Sequence, residues 1–121
     1  CQFIGLQSLN SNLDDAVLAN ANLESANLMG SSIKKANLSY VNFRNANLSF
    51  VNLSRSMLIG ADLRNADLSN VNFKDADLSY ANLSGATIDN TDFKNAIMKN
   101  TIWINGKTCT PESTGKCLIR P

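Results

Sequence analysis

The 121 residues contain no histidine, which removes the commonest general base, proton shuttle and metal ligand at once. Asn or Asp recurs at thirteen positions spaced by multiples of five, from Asn12 to Asp92. Such residues are able to act as acids or ligands. Their regular spacing instead assigns them to structure, as hydrogen-bond partners for neighbouring backbone and for each other between stacked coils. Asp62, Asp67, Asp77 and Asp92 fall on the same positions as the asparagines and read the same way. No carboxylate pair stands apart as an acid–base dyad, and there is neither a phosphate-binding glycine loop nor a calcium loop. The expectation is no catalytic residue, no cofactor and no metal site: the chain is not an enzyme. Two cysteines, Cys109 and Cys117, sit eight apart in the last fifteen residues. A metal site would have two ligands at the wrong spacing, and the pair is not Cys-x-x-Cys. A disulfide closing a short loop fits, and it implies an oxidising compartment, whether periplasmic, secreted or other.

The length suits one domain. Eleven basic and ten acidic residues give a net charge of +1, so no chain-wide field recruits nucleic acid or imitates it. No apolar run approaches the roughly 20 residues of a transmembrane segment.

A repeat dominates the chain. Every fifth residue from Leu13 to Trp103 is large and apolar, nineteen in phase: Leu, Ile, Phe, Met and finally Trp. Two residues before each stands Ala, Ser, Thr or Val, and eleven of those nineteen are Ala. The unit is Ala-Asn/Asp-Leu-x-x, as in Ala36-Asn37-Leu38-Ser39-Tyr40 and Ala66-Asp67-Leu68-Ser69-Asn70. On an α-helix a step of five advances about 140°, so the leucines would ring the helix. On a flat strand they would fall on alternate faces. To keep them all inside, the chain must turn once per five residues. The small residue and the leucine point inward from one short extended piece, the Asn or Asp between them points outward, and the last two residues make the corner.

The run from Leu13 to Trp103 resembles the pentapeptide-repeat family, whose motif is Ala-(Asp/Asn)-Leu-x-x. The resemblance implies an all-β fold: a right-handed quadrilateral parallel β-helix with four pentapeptides per coil. Nineteen units then make about five coils, roughly 23 Å of stack at the sheet spacing. The expected organisation is a degenerate N-terminal repeat or cap over 1–12, the β-helix over 13–103, and a C-terminal capping tail over 104–121. Phe3, Ile4, Leu6 and Leu9 are expected to cover the first coil. Ile97 and Ile102, apolar at outward positions, are expected to be covered by the tail folding back. Trp103-Ile104-Asn105-Gly106, Cys109 and Gly115-Lys116-Cys117 are also similar to the tail of some secreted bacterial members. Cys1 reads as the small inward residue of a first repeat with more chain upstream, or as a lipoprotein cut at its acylation site.

If four units close a coil, residues twenty apart stack on one face. Lys34, Lys35, Arg55, Lys74 and Lys94 then share one face with Asp14, Asp15 and Asp75, and Arg44 and Arg64 share another with Glu24. This is either a solvated surface or a docking patch for an acidic partner. The remaining faces carry Tyr40 and Tyr80 in one corner column beside Ile59, and Met29 and Phe50 on the neighbouring face. These aromatics are either scattered surface residues or a protein interface. The functional expectation is a non-enzymatic structural or protein-interaction module with an unknown protein partner, with a homodimer open and nucleic acid excluded. The alternative comes from the resemblance. Some family members bind DNA topoisomerase and protect it from quinolones by presenting an acidic, duplex-like surface. This sequence departs from that pattern, being near neutral with charged faces more basic than acidic.

Overall fold

The computed structural model describes residues 1–119. Each pentapeptide contributes one bridging residue and one turn, and the turn is dictated locally. Every fifth residue from Gly5 to Asn100 has φ between +51° and +75°, the left-handed region that Gly, Asn and Asp enter at least cost. Fourteen of these twenty residues are Asn, Asp or Gly. The turn closes with an i to i+3 hydrogen bond, for example Ala21 N–H to Leu18 C=O at 3.0 Å and Ala76 N–H to Phe73 C=O at 2.9 Å. Positive φ at the third turn residue alone is the type II signature.

The outward Asn or Asp holds the turn from its other side. Its Oδ1 accepts the backbone N–H two residues on: Arg44 N–H to Asn42 at 3.0 Å, Ser54 N–H to Asn52 at 3.0 Å, Lys94 N–H to Asp92 at 2.9 Å. These are Asx turns. The expected side-chain ladder between coils is therefore corrected. The side chains bond within their own turn, because the i+2 amide lies closer than the next coil's side chain. The Asn22 amide to Gln2 Oε1, at 3.2 Å, is a side-chain bond between coils.

The chain closes on itself after four turns. Parallel bridges join residues twenty apart without interruption, from Gln2–Asn22 to Asn82–Ile102. Four walls result, numbered here in chain order. Wall 1 carries Gln2, Asn22, Asn42, Asp62, Asn82 and Ile102 outward. Wall 2 carries Gln7, Asn27, Asn47, Asp67 and Thr87. Wall 3 carries Asn12, Ser32, Asn52, Asn72 and Asp92, and wall 4 carries Val17, Asn37, Met57, Asp77 and Ile97. Among the described residues the ladders consist of single bridges, since each wall is one residue wide between turns.

Inside, the leucine columns fill the axis. Leu28, Leu38, Phe43, Leu53 and Phe73 are completely buried, with the alanines packed beside them. Phe73 stacks on Phe93 with ring centroids 5.3 Å apart, and Phe93 meets Trp103 at the same separation. From Ser31 onward, where a Ser or Thr replaces the inward alanine, its hydroxyl donates to a carbonyl twenty-three residues earlier. Ser56 reaches Ile33 at 2.6 Å, Thr91 reaches Leu68 at 2.7 Å, and Thr101 reaches Leu78 at 2.6 Å. Ser56 and Ser31 also accept the turn amides of Ala36 and Ser11. Among the described residues no buried side-chain polar atom lacks a partner.

Two expectations about the ends are revised. Ile4 and Leu9 occupy corner positions and are exposed, so they do not cover the first coil. At the other end the tail adds to the edge of the last circuit through antiparallel bridges Ile97–Thr114 and Ile102–Thr108. That pairing extends walls 4 and 1 along the axis and leaves the outward face open, so Ile97 stays 44% exposed. The Cys109–Cys117 disulfide closes the tail loop, with Cα atoms 5.1 Å apart and Cys109 buried. Arg120 and Pro121, the last of the expected cap, lie outside the described residues.

Candidate functional site: the corners flanking wall 4

The corner between walls 3 and 4 is built from consecutive turns: Asp14-Asp15, Lys34-Lys35, Ser54-Arg55, Lys74-Asp75 and Lys94-Asn95. Adjacent turns sit one sheet spacing apart, roughly 4.8 Å, so Lys34, Lys35, Arg55 and Lys74 converge across three circuits. They line an open groove of about 400 Å³ with Asp14, Asp15, Ser54, Asn72 and Asp75. Asp14 anchors the groove at one end. Its Oδ1 accepts the Ser32 hydroxyl at 2.6 Å and the Lys34 backbone N–H at 2.9 Å, and its Oδ2 lies 3.9 Å from the Lys34 ammonium. The Ser32 hydroxyl first, and then the Lys34 amide, hold the Asp14 carboxyl below its usual range. Lys35, Arg55 and Lys74 have no salt bridge to a described residue.

The corner between walls 4 and 1 is aromatic. Tyr40 and Tyr80 occupy its left-handed positions, at φ 58° and 62°, and both are more than half exposed. Gly60 stands between them in the column. A Cβ on Gly60 would lie 2.5 Å from Tyr40 Cε1, so the ring lies against the next circuit's backbone. Ile59 sits beside it, half-buried.

The ten residues expected to face a partner do not form one site. Lys34, Lys35, Arg55 and Lys74 meet in the groove, with Lys94 further along the same corner. Tyr40 and Tyr80 share the next corner. Arg44 and Arg64 lie on the corner between walls 1 and 2, diagonally across the prism. There Arg64 is committed to Asp62 by two side-chain bonds of 2.9 and 2.7 Å. Partial burial pushes the Asp62 carboxyl up, but the Arg64 hydrogen bonds outweigh it and hold the group below its usual range. Phe50 lies on the corner between walls 2 and 3, with Met29 and Leu9 exposed in the two preceding circuits. The sequence reading did not connect the cationic and aromatic corners through wall 4. Nor did it use Val17 and Met57 at that wall's outward positions. The signal was present, since Val17, Met57 and Ile97 are forty residues apart in one column.

A prism with inward leucines, Asx-stabilised turns and twenty-residue closure defines a pentapeptide-repeat solenoid. The profile of pentapeptide repeats matches eight copies over residues 11–49, 36–75, 46–85 and 66–102. The chain belongs to the pentapeptide-repeat family, whose fold is the right-handed β-helix. Among solved structures it is similar to a pentapeptide-repeat protein from the thylakoid lumen of Arabidopsis thaliana. The identity is 20%, the alignment covers 95% of this chain and 86% of that one, and the TM-score is 0.82. It is also similar to a pentapeptide-repeat protein from Nostoc PCC 7120, at 30% identity over 69% of this chain and 81% of that one, with a TM-score of 0.61. The plasmid-mediated fluoroquinolone resistance protein QnrB1 shares the fold at 13% identity, with 85% and 66% covered and a TM-score of 0.51. No curated protein matches the chain in sequence.

Proposed function

We propose that this chain is a non-enzymatic protein-interaction module that works in an oxidising, extracytoplasmic compartment. The observation that carries the reading is the division of labour in the fold. The interior is closed, with leucine columns filled and buried hydroxyls bonded. The outward columns, by contrast, vary from wall to wall in charge and apolarity. A rigid rod of about five coils presents such columns at fixed spacing, as solenoids do to their partners. The compartment is supported by the Cys109–Cys117 disulfide and by the thylakoid-lumen source of a structurally similar protein. The likeness to QnrB1 is one of fold and carries no fluoroquinolone-resistance role to this chain. The groove here is cationic at its centre, opposite to a duplex-like surface.

The test is affinity capture from the native source at physiological salt, with reduced and alkylated cysteines counted in the same material. A reproducible partner and a blocked Cys109–Cys117 pair are expected. Absence of any reproducible partner contradicts the interaction reading, and free thiols at both positions contradict the compartment.

A further inference from the structure

The sequence breaks its own turn rule in one region. At the twenty left-handed corner positions it uses Asn, Asp or Gly fourteen times and Ser once. The five bulky exceptions are Lys35, Tyr40, Phe50, Arg55 and Tyr80. Four of those five lie along the two edges of wall 4. Left-handed φ is costlier for an ordinary side chain than for Gly or Asn, so these four positions give up stability where Asn would serve the turn better. The outward bridging position is broken in the same region. Of its four apolar residues, Val17, Met57, Ile97 and Ile102, three belong to wall 4, and all three are exposed. Local rules abandoned together in one place point to function more than to folding.

The geometry of wall 4 fits a helix. Val17, Met57 and Ile97 recur every second circuit, roughly 10 Å apart at the sheet spacing. Residues i and i+7 of an α-helix are about 10.5 Å apart on one face. A helix laid along the wall would place apolar residues on these three, with Asn37 and Asp77 between them. One flank would meet Tyr40 and Tyr80, and the other would meet Lys35, Arg55 and Lys74. Wall 4 of a second copy complements it only in part, because Asp14, Asp15 and Asp75 share the corner with the cations. A parallel two-fold pairing of wall 4 sets the cations against tyrosines; an antiparallel one about Met57 sets Arg55 against Arg55, with Asp14 and Asp15 then facing Lys94 and Asp75 facing Lys35.

Resting on the reading of the chain as an interaction module, we propose that wall 4 is the docking surface, and that it takes an amphipathic helix of a partner protein with acidic residues along one flank. Roughly 14 residues of helix would span the wall. An interface of this size falls in the small, transient class.

The experiment places a benzophenone photoprobe at Asn42, Asn47, Asn52 or Met57, one on each wall of adjacent turns, in the full chain. Each form is irradiated in extract from the native source, and the cross-linked segments are sequenced. The proposal expects position 57 to dominate by at least tenfold. The captured segment should carry apolar residues at i, i+3 or i+4, and i+7 with acidic residues on one flank. Yield should fall at least tenfold in Lys35→Asn/Arg55→Asn and in 0.5 M salt. Capture mainly from the other three walls overturns the proposal and leaves the module reading standing. So does a segment without that pattern, a second copy of this chain, or a yield indifferent to the two cations. No capture from any wall overturns both.

Discussion

Asp14 completes a turn that belongs to Lys34, twenty residues further along the chain. In most repeats the outward Asn or Asp accepts the amide two residues on. Wall 3 has Ser32 at that place, whose hydroxyl donates to Asp14 Oδ1 while the same oxygen accepts the Lys34 amide at 2.9 Å. The carboxylate of one circuit substitutes for the missing asparagine of the next. Asp14→Ala should therefore lower the melting temperature, and adding Ser32→Asn should recover most of the loss by restoring the local Asx turn. Thermal melts of the single and double variants check this. A double variant no better than Asp14→Ala would refute it.

The same carboxylate gives a pH dependence with a definite sign. Asp14 and Asp62 both titrate below their ordinary value of 3.8 in the folded chain. Their contribution to stability is complete above that value and is lost as pH falls through the lower folded one. Melting temperature should be nearly flat from about pH 5 to 7. It should drop below about pH 4, and less steeply in Asp14→Asn/Asp62→Asn. An equal acid drop in wild type and double variant would contradict the assignment.

Gly60 is glycine for two reasons, its φ of +69° and the Tyr40 ring where a Cβ would stand. Gly60→Ala should destabilise by about 1–3 kcal/mol. In a Tyr40→Asn background the steric part disappears and only the backbone part remains. A double-mutant cycle by urea unfolding should show a coupling of at least about 0.5 kcal/mol. Additive effects would show that the ring does not hold this position in solution.

Ser56 bridges a turn otherwise left open: its hydroxyl donates to Ile33 and accepts from Ala36. Ser56→Ala should cost about 1–2 kcal/mol, whereas Ser56→Thr, the residue type used at Thr91 and Thr101, should cost much less. Chemical denaturation distinguishes the two, and equal losses would argue against the bridge.

The architecture was legible because its rules are local and repeated. A period of five excludes helix and flat strand by geometry alone, and the bridges from Gln2 to Ile102 fall on the twenty-residue register taken from the family. What stayed hidden needed three dimensions. Ser56 and Thr101 looked like mere small residues, since nothing in a linear reading shows a hydroxyl meeting a carbonyl twenty-three positions back. The outward asparagines were expected to bond both neighbouring backbone and each other between coils. The backbone bonds are found, whereas the ladder is not; spacing cannot tell an amide in the same turn from a side chain in the next. Ile97 looked covered, because an apolar residue at an outward position suggests a lid, whereas the tail pairs along the axis and leaves that face open. The partner-facing residues were read face by face, so the wall joining Lys35 and Arg55 to Tyr40 and Tyr80 went unseen.

On the proposal for wall 4, Lys35, Tyr40, Arg55 and Tyr80 trade stability for binding. Lys35→Asn/Tyr40→Asn/Arg55→Asn/Tyr80→Asn restores the residue the left-handed turn favours at each, so one variant tests both halves. Thermal melting and quantitative co-purification from the native source, run side by side with wild type, read the result. The variant is expected to melt at or above the wild-type temperature and to lose its partner at least tenfold. A variant that melts lower, or one that keeps its partner undiminished, contradicts the proposal.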